Sequence, residues 1–314
     1  MHRRDRSFLH EHNENQEGYG SIHQTDYPAA TNKIYQQRKQ DLVQLGRDAW
    51  PLIPHYEYLP EEHQTWQYLY ERLIPLQDKH SCRDFLEGRT RLIDHQVVMA
   101  DQIPQLDKIS SILESHTGMM LAPVGGLLES PVFLSFLAHQ VMRSTAYVRH
   151  ASHPQFTPEP DIIHEILGHS PMFMLPTFVD FSTQIGLAAQ YTYQVKQGME
   201  KLAQRSPLQE EALQQSEELI RKLSLLYWYT FEYGLMYESN TVKIFGAGSN
   251  AGLQDLKRSI DASKHKQLSD EIYRYTIDYD APQDVFYVAD SYEHIVDMAA
   301  VLRKQSEALK HDFL

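Results

Sequence analysis

The chain has 314 residues, 42% of them hydrophobic and 23% charged, so it can bury a sizeable core and admits one large domain or two ordinary ones. Twenty-nine Lys and Arg against 42 Asp and Glu leave a formal net charge of −13, which argues against a protein that grips a nucleic-acid backbone. A single cysteine, Cys82, excludes an internal disulfide and any Cys-rich metal site, and leaves 17 histidines and the carboxylates as candidate ligands.

Residues 1–25 are polar and begin with basic side chains but no apolar segment, so they read as a loose arm and not as a signal peptide. The arm's His2, His10, His12 and His23 are not expected to form a specific metal site. From Asp26 onward neither a Gly/Ser linker nor a repeat appears, which predicts one domain over 26–314. Ile34 to Trp50 carries apolar residues at 34, 35, 42, 45 and 49, loosely at helical spacing, and Pro51 should stop it. Trp66, Leu69, Leu73 and Leu76 predict a second helix, which Pro75 should end or kink. The longest nearly uninterrupted apolar stretch, Met119 to Leu128, is about half of the ~20 residues a membrane span needs. Pro131 to Tyr147 reads as a third helix with proline in its first turn. The charged, Gln-rich segment 194–222 predicts a long solvated helical hairpin, with apolar residues 213, 219, 220, 223, 226 and 227 on one face and a partner-binding surface as the sharper alternative. Strand signals are confined to short pieces near Val242–Phe245 and Val285–Val288. The expected fold is a single, mainly α domain with a few short β-strands, in a soluble cytoplasmic protein with no membrane and no nucleic-acid partner.

The chemistry gathers in Thr157-Pro-Glu-Pro-Asp-Ile-Ile-His-Glu-Ile-Leu-Gly-His169. Two histidines lie five apart. In an ideal helix they splay by ~140°, whereas the i,i+4 pair of an HExxH zinc protease lies ~40° apart. To share a metal, this helix must distort or end near Gly168, and Asp161 is placed to cap its start. A third ligand is found in the run 225–235, where Glu232 is the single acid among Trp228, Phe231 and Tyr233. An ionised carboxylate buried there needs a cation or a proton. Two histidines and one carboxylate suit a facial-triad Fe(II) site with open positions, and equally a zinc site, so the donor set alone leaves the metal undecided.

In these residues and in several further blocks the chain resembles the catalytic domain of the pterin-dependent aromatic amino acid hydroxylases, the family of phenylalanine, tyrosine and tryptophan hydroxylases. The match covers about Asp26 to Ala300 in ordered blocks: IPHYEYLPEEHQTW (53–66), IPQL (103–106), TGMMLAPVGGLLESPVFL (117–134), YVRHASHPQFTPEPDIIHEILGH (147–169), FSTQIGLA (181–188), YWYTFEYGL (227–235), FGAG (245–248) and FYVADSY (286–292). The resemblance implies that His164, His169 and Glu232 hold Fe(II). It implies a tetrahydropterin against Phe133, with Val124, Gly126, Leu127, Leu128 and Ser130 lining its loop and Glu165 and Tyr227 completing that side. It places the substrate carboxylate on Arg149, supported by Asp161 and Thr157, and the substrate ring near Pro160, His164 and Trp228, with Gly248 also among the substrate-binding residues. Iron, pterin and O₂ together supply the oxygen chemistry, and the protein's tasks are to leave coordination sites open, dock the pterin and aim the ring.

Three departures stand against this pattern. A family His or Gln near the pterin is Arg143 here, which either donates to the pterin or faces outward. A family Ser that helps hold the substrate backbone is Ala251, whose lost hydrogen bond is worth ~1 kcal/mol unless Ser249 or Asn250 replaces it. The family has a short connection where this chain carries 194–222, so that segment reads as a helical insertion and a possible oligomer contact, with a monomer or a dimer expected. No apolar heptad follows the last block and no regulatory domain is expected ahead of the first. The expectation is a phenylalanine-to-tyrosine hydroxylase. Tryptophan, the meta position of phenylalanine or another aromatic molecule remain open, and so do a zinc hydrolase with Glu165 as general base and a catalytically dead binding protein.

Overall fold

Helix α1 (Lys33–Ala49) begins where the Asn32 side chain accepts the backbone N–H groups of Ile34 and Tyr35, and it ends before the Trp50–Pro51 step. These coordinates are a computed structural model that describes residues 31–155, 157, 159–278 and 281–313. The arm expected over 1–25, with its four histidines, lies outside the described residues. The loose apolar spacing of α1 does not mark one inward face: Leu42 is buried, but Ile34 is 85% exposed and Leu45 39%.

Helix α2 (Pro60–His80) continues through Pro75 instead of ending there. Trp66, Leu69 and Leu73 are wholly buried before the proline. After it, the Gln77 side-chain amide donates to the carbonyls of Leu167 (3.2 Å) and Asn250 (2.9 Å). Anchors on both sides outweigh the ~3 kcal/mol that an interior proline typically costs. Helices α3 (Arg83–Asp94) and α4 (Leu106–Thr117) follow, the latter closed by Gly118 at φ 81°.

The helix expected over 131–147 is only half present. Helix α5 (Ser130–Leu137) stops, Gln140 turns the chain at φ 57°, and β2 (Val141–Ser144) pairs in parallel with β1 (Met120–Pro123). Residues 141–149 are all buried, the continuous pattern of a covered strand and not the 3.6 period of a helix.

After a short helix α6 (Ser170–Phe173), helices α7 (Pro176–Glu200) and α8 (Pro207–Tyr227) form the expected hairpin. Ser206 and Gln209 cap α8 reciprocally. The hairpin is less solvated than its composition predicts. Val195, Ala212, Leu219 and Leu223 are buried, and the C-terminal helix α11 (Tyr292–Phe313) packs against both arms, joined by a buried bond from the Thr192 hydroxyl to that of Ser306 (2.9 Å).

The remaining strands form one small sheet in the order β4–β3–β6–β5. Strands β3 (Leu235–Glu238) and β4 (Thr241–Ile244) are an antiparallel hairpin, and β3, β6 (Phe286–Ala289) and β5 (His265–Gln267) run parallel. Ser239 and Asn240 both take positive φ at the tight turn, as such hairpins require. Helix α9 (Ala247–Ala251) packs against the histidine segment, and α10 (Leu253–Ser259) follows it and packs against α2. The mainly α fold with few strands is as the sequence predicts, and among the described residues no helix is long and apolar enough to cross a membrane.

Candidate metal and cofactor site

Two π-helical turns build the site. In the first, His164–His169, the Ser170 N–H reaches back to the Glu165 carbonyl, an i→i−5 bond. Widening the turn brings residues five apart onto one side of the helix, which resolves the ~140° splay of an ideal α-helix. Asp161 starts the turn by accepting the His164 N–H (3.1 Å). Gly168 does not end the helix. It lets α9 approach, because a Cβ there would lie 2.8 Å from the Ala247 carbonyl oxygen. The second π turn, Trp228–Glu232, closes with the Tyr233 N–H on the Trp228 carbonyl (3.0 Å) and presents Glu232 to the histidines.

The His164 and His169 Nε2 atoms are 3.0 Å apart, and each lies 3.2 Å from a different oxygen of Glu232. Three donors bound at right angles to one ion by bonds of about 2.1 Å would stand about 3.0 Å apart, so the spacing fits a single first-row metal. Among the described residues this is the one group of three potential ligands whose donor atoms all lie within 4.8 Å of one another. Burial alone would raise the Glu232 carboxyl, but His169 and His164 outweigh it and hold the group ionised, well below the ordinary carboxylate range.

A cavity of about 500 Å³ opens beside the three donors. All eight residues that the family resemblance assigns to the pterin border it: Val124, Gly126, Leu127, Leu128, Ser130 and Phe133 from the β1–α5 segment, and Glu165 and Tyr227 from the two sides of the metal cluster. The Phe133 and Tyr227 rings meet edge to face at 5.3 Å. Glu165 accepts both the N–H (3.2 Å) and the hydroxyl (3.3 Å) of Thr145 through Oε1, while Oε2 is buried without a partner. Burial pushes its carboxyl up to about 8.

Of the substrate residues implied by resemblance, Pro160, His164 and Trp228 border the cavity; Arg149, Thr157, Asp161 and Gly248 do not. The Arg149 Nε and Nη2 donate to the two oxygens of Asp161 at 2.9 and 2.7 Å, and Asp161 also takes the Arg149 N–H. The side-on fork of the guanidinium is thus occupied by its holder, and a substrate carboxylate would have to use the opposite end. The Thr157 hydroxyl donates to the Glu159 carbonyl (2.8 Å), and Gly248 lies buried in α9. Asn250 does not replace the missing hydroxyl of Ala251: its amide bonds the Gly246 carbonyl and the Ser81 hydroxyl, whereas the Ser249 hydroxyl has no partner.

Three contributors escape sequence reasoning. Thr145 orients Glu165, Gln283 accepts the Trp228 indole N–H (2.9 Å), and Asp255 buries a carboxyl whose Oδ1 has no partner and which burial raises to about 6. None carries a local signal, since each acts across a long chain separation or from a short helix whose other residues are ordinary. Ile220 also borders the cavity, so the end of the segment read as an insertion reaches its wall, and Ser224 just beyond it does the same.

The model of the biopterin-dependent aromatic amino acid hydroxylases matches residues 4–206 and 200–314, and the chain belongs to that family. The chain is 35% identical over 282 residues to the protein henna of Drosophila melanogaster, covering 88% of this chain and 57% of henna. It is 34% identical over 293 residues to tyrosine 3-monooxygenase of Rattus norvegicus, covering 92% and 53%. The chain thus spans about half the length of the curated relatives it matches. Its fold is similar to that of phenylalanine hydroxylase from Chromobacterium violaceum, solved with iron(III) and 7,8-dihydrobiopterin, at a TM-score of 0.63 and 26% identity over 80% of this chain and 84% of that one. Family membership removes the ground for a zinc hydrolase. The two matched segments meet at 200–206, the turn of the α7–α8 hairpin.

Proposed function

We propose that the chain is an Fe(II)- and tetrahydropterin-dependent monooxygenase that hydroxylates the ring of an aromatic amino acid, phenylalanine to tyrosine. The observation that carries this reading is the placement of the His164–His169–Glu232 donors on the wall of a cavity that all eight candidate pterin residues also border. When bound, the iron and the reduced pterin supply the activation of O₂. The chain's own residues do the rest. Glu232 stays ionised and offsets metal charge, and the mostly apolar walls limit water around the reacting ring. Phe133 offers a flat face to the pterin, while Pro160 and Trp228 confine the substrate ring. Arg149, steadied by Asp161, with Thr157 and Gly248 nearby, receives the substrate carboxylate. Cytoplasmic location and a monomeric or dimeric state complete the proposal, and the hairpin tip, where Leu202 and Leu208 are exposed, is the part of 194–222 left for a contact between copies.

The similarity to the C. violaceum enzyme supports phenylalanine, whereas the tyrosine 3-monooxygenase relative keeps other aromatic amino acids, tryptophan included, within reach. A second reading, an aromatic substrate without a free carboxylate, is favoured by one observation: Asp161 already fills the side-on fork of Arg149. The test is a screen of phenylalanine, tyrosine, tryptophan and their carboxamides with Fe(II), tetrahydropterin and O₂, read by mass spectrometry. Oxygenated phenylalanine but not its amide is the expected result. Equal turnover of acid and amide would move the assignment to the second reading, and no pterin-dependent product from any of them would overturn both.

A further inference from the structure

We propose that His95 and His116 form a second metal site, at the surface, that takes an exchangeable divalent transition ion such as Zn²⁺. His95 caps the C-terminus of α3, His116 stands in the last turn of α4, and both side chains are exposed. Their Nε2 atoms lie 3.4 Å apart, with ring centroids at 5.0 Å and ring planes at 78°. That spacing is longer than the ~2.7–3.2 Å of a good nitrogen-donated hydrogen bond. It matches the ~3.4 Å between two nitrogens that each sit ~2.1 Å from one ion at a tetrahedral angle. The pair borders neither the large cavity nor the His164–His169–Glu232 cluster.

The tautomer of His116 suits a ligand. Its Nδ1 lies 3.0 Å from the Ile112 carbonyl oxygen, which only accepts, so Nδ1 carries the proton and Nε2 keeps its lone pair. Metal-bound histidines are held in the same way, with a backbone carbonyl on the nitrogen away from the ion. Both residues stand at helix C-termini, where the partial negative charge favours a cation. Imidazole selects Zn²⁺, Ni²⁺ or Cu²⁺ over Mg²⁺ and Ca²⁺, which prefer oxygen. Among the described residues the one cluster of three potential ligands is at His164, so at His95 and His116 water fills the remaining positions. Two protein bonds in place of the four of a structural zinc site leave about half its binding energy, a Kd of about 1–100 µM. The bound ion ties the end of α3 to α4, whose Thr117 hydroxyl donates to the Phe173 carbonyl (2.8 Å) just beyond the histidine segment. A pair that merely shares a proton predicts no metal binding.

The experiment is calorimetric titration of the metal-free full chain with Zn²⁺, run on the wild type, H95Q and H116Q. Zn²⁺ also enters the His164–His169–Glu232 cluster, but that cluster and all other histidines are unchanged in the variants, so the readout is the difference in stoichiometry. Each variant should lose the same single equivalent, of Kd about 1–100 µM, and keep the wild-type iron content. Equal stoichiometry in all three proteins overturns the proposal. Loss in one variant only does so too, because the two rings would then not share the ion. A lost equivalent weaker than about 1 mM marks an adventitious ion only and likewise overturns it. Circular dichroism checks folding, and if H116Q unfolds, the comparison of the wild type with H95Q decides.

Discussion

Arg143 and Arg149 lie six residues apart and are 2% and 3% exposed, yet their charges are met in opposite ways. Arg149 has a dedicated carboxylate: Asp161, itself wholly buried, takes three of its N–H groups. Arg143 has two aromatic faces, one backbone carbonyl and two donors with nothing to bond. The same division runs through the acids. Glu232 lies between two histidines, whereas Asp255 keeps one oxygen unpartnered. A buried charge with a complete set of partners is a fixed part of the scaffold, and one with an incomplete set carries a burial cost that its neighbours do not offset.

The largest effect is expected at the three candidate metal ligands. Glu232→Ala removes one of only three candidate ligands, so iron content measured by colorimetric chelation should fall to near background and coupled hydroxylation should be lost. Iron retained at the wild-type level would show that another carboxylate is the ligand. Next in size, Asp161→Ala leaves Arg149 as a buried unpaired cation and should lower stability by about 3–5 kcal/mol in urea titration. Arg149→Lys keeps the charge but loses the planar fork, so substrate KM should rise steeply while pterin KM and iron content hold. A change under about 1 kcal/mol for Asp161→Ala would end the claim that pairing stabilises this pair.

Asp255 gives the opposite sign. Its folded pKa, about 6, lies above the ordinary Asp value, so the folded state holds the proton more tightly than the unfolded chain. The burial penalty is therefore absent below about pH 4, grows between about 4 and 6, and is complete above that. Asp255→Asn should remove it, making the variant more stable than the wild type at pH 7 by up to about 3 kcal/mol but not at pH 4. Thermal denaturation at the two pH values checks this, and parallel shifts at both would refute it. The smallest effect is expected at the hairpin tip. Replacing residues 201–206 by a shorter turn changes closure entropy only slowly, so stability should move by about 1 kcal/mol or less. Light scattering then tests the proposed contact, for which a smaller particle is the supporting result and unchanged mass the opposing one.

Much of the site could be read from residue order. The His164–His169 spacing, the lone Glu232 in an aromatic run and the ordered family blocks pointed to candidates that the fold gathers around one cavity, because such candidates are written in neighbouring residues. Helices α2 and α8 were legible for the same reason, since an amphipathic period is local. Other features were decided only by packing. Whether two histidines five apart converge depends on a π turn set by hydrogen bonds. Pro75 fails to break α2 because Trp66 and Gln77 are held from distant segments. The run 141–144 is a buried strand and not helix because β1 pairs beside it. Segment 194–222 is less solvated than its composition predicts because α11 returns to pack against both arms of the hairpin. The partners of the buried charges belong to this second group: composition and spacing place an arginine at 143 and at 149, but only the folded chain gives Asp161 to one and leaves the other incomplete.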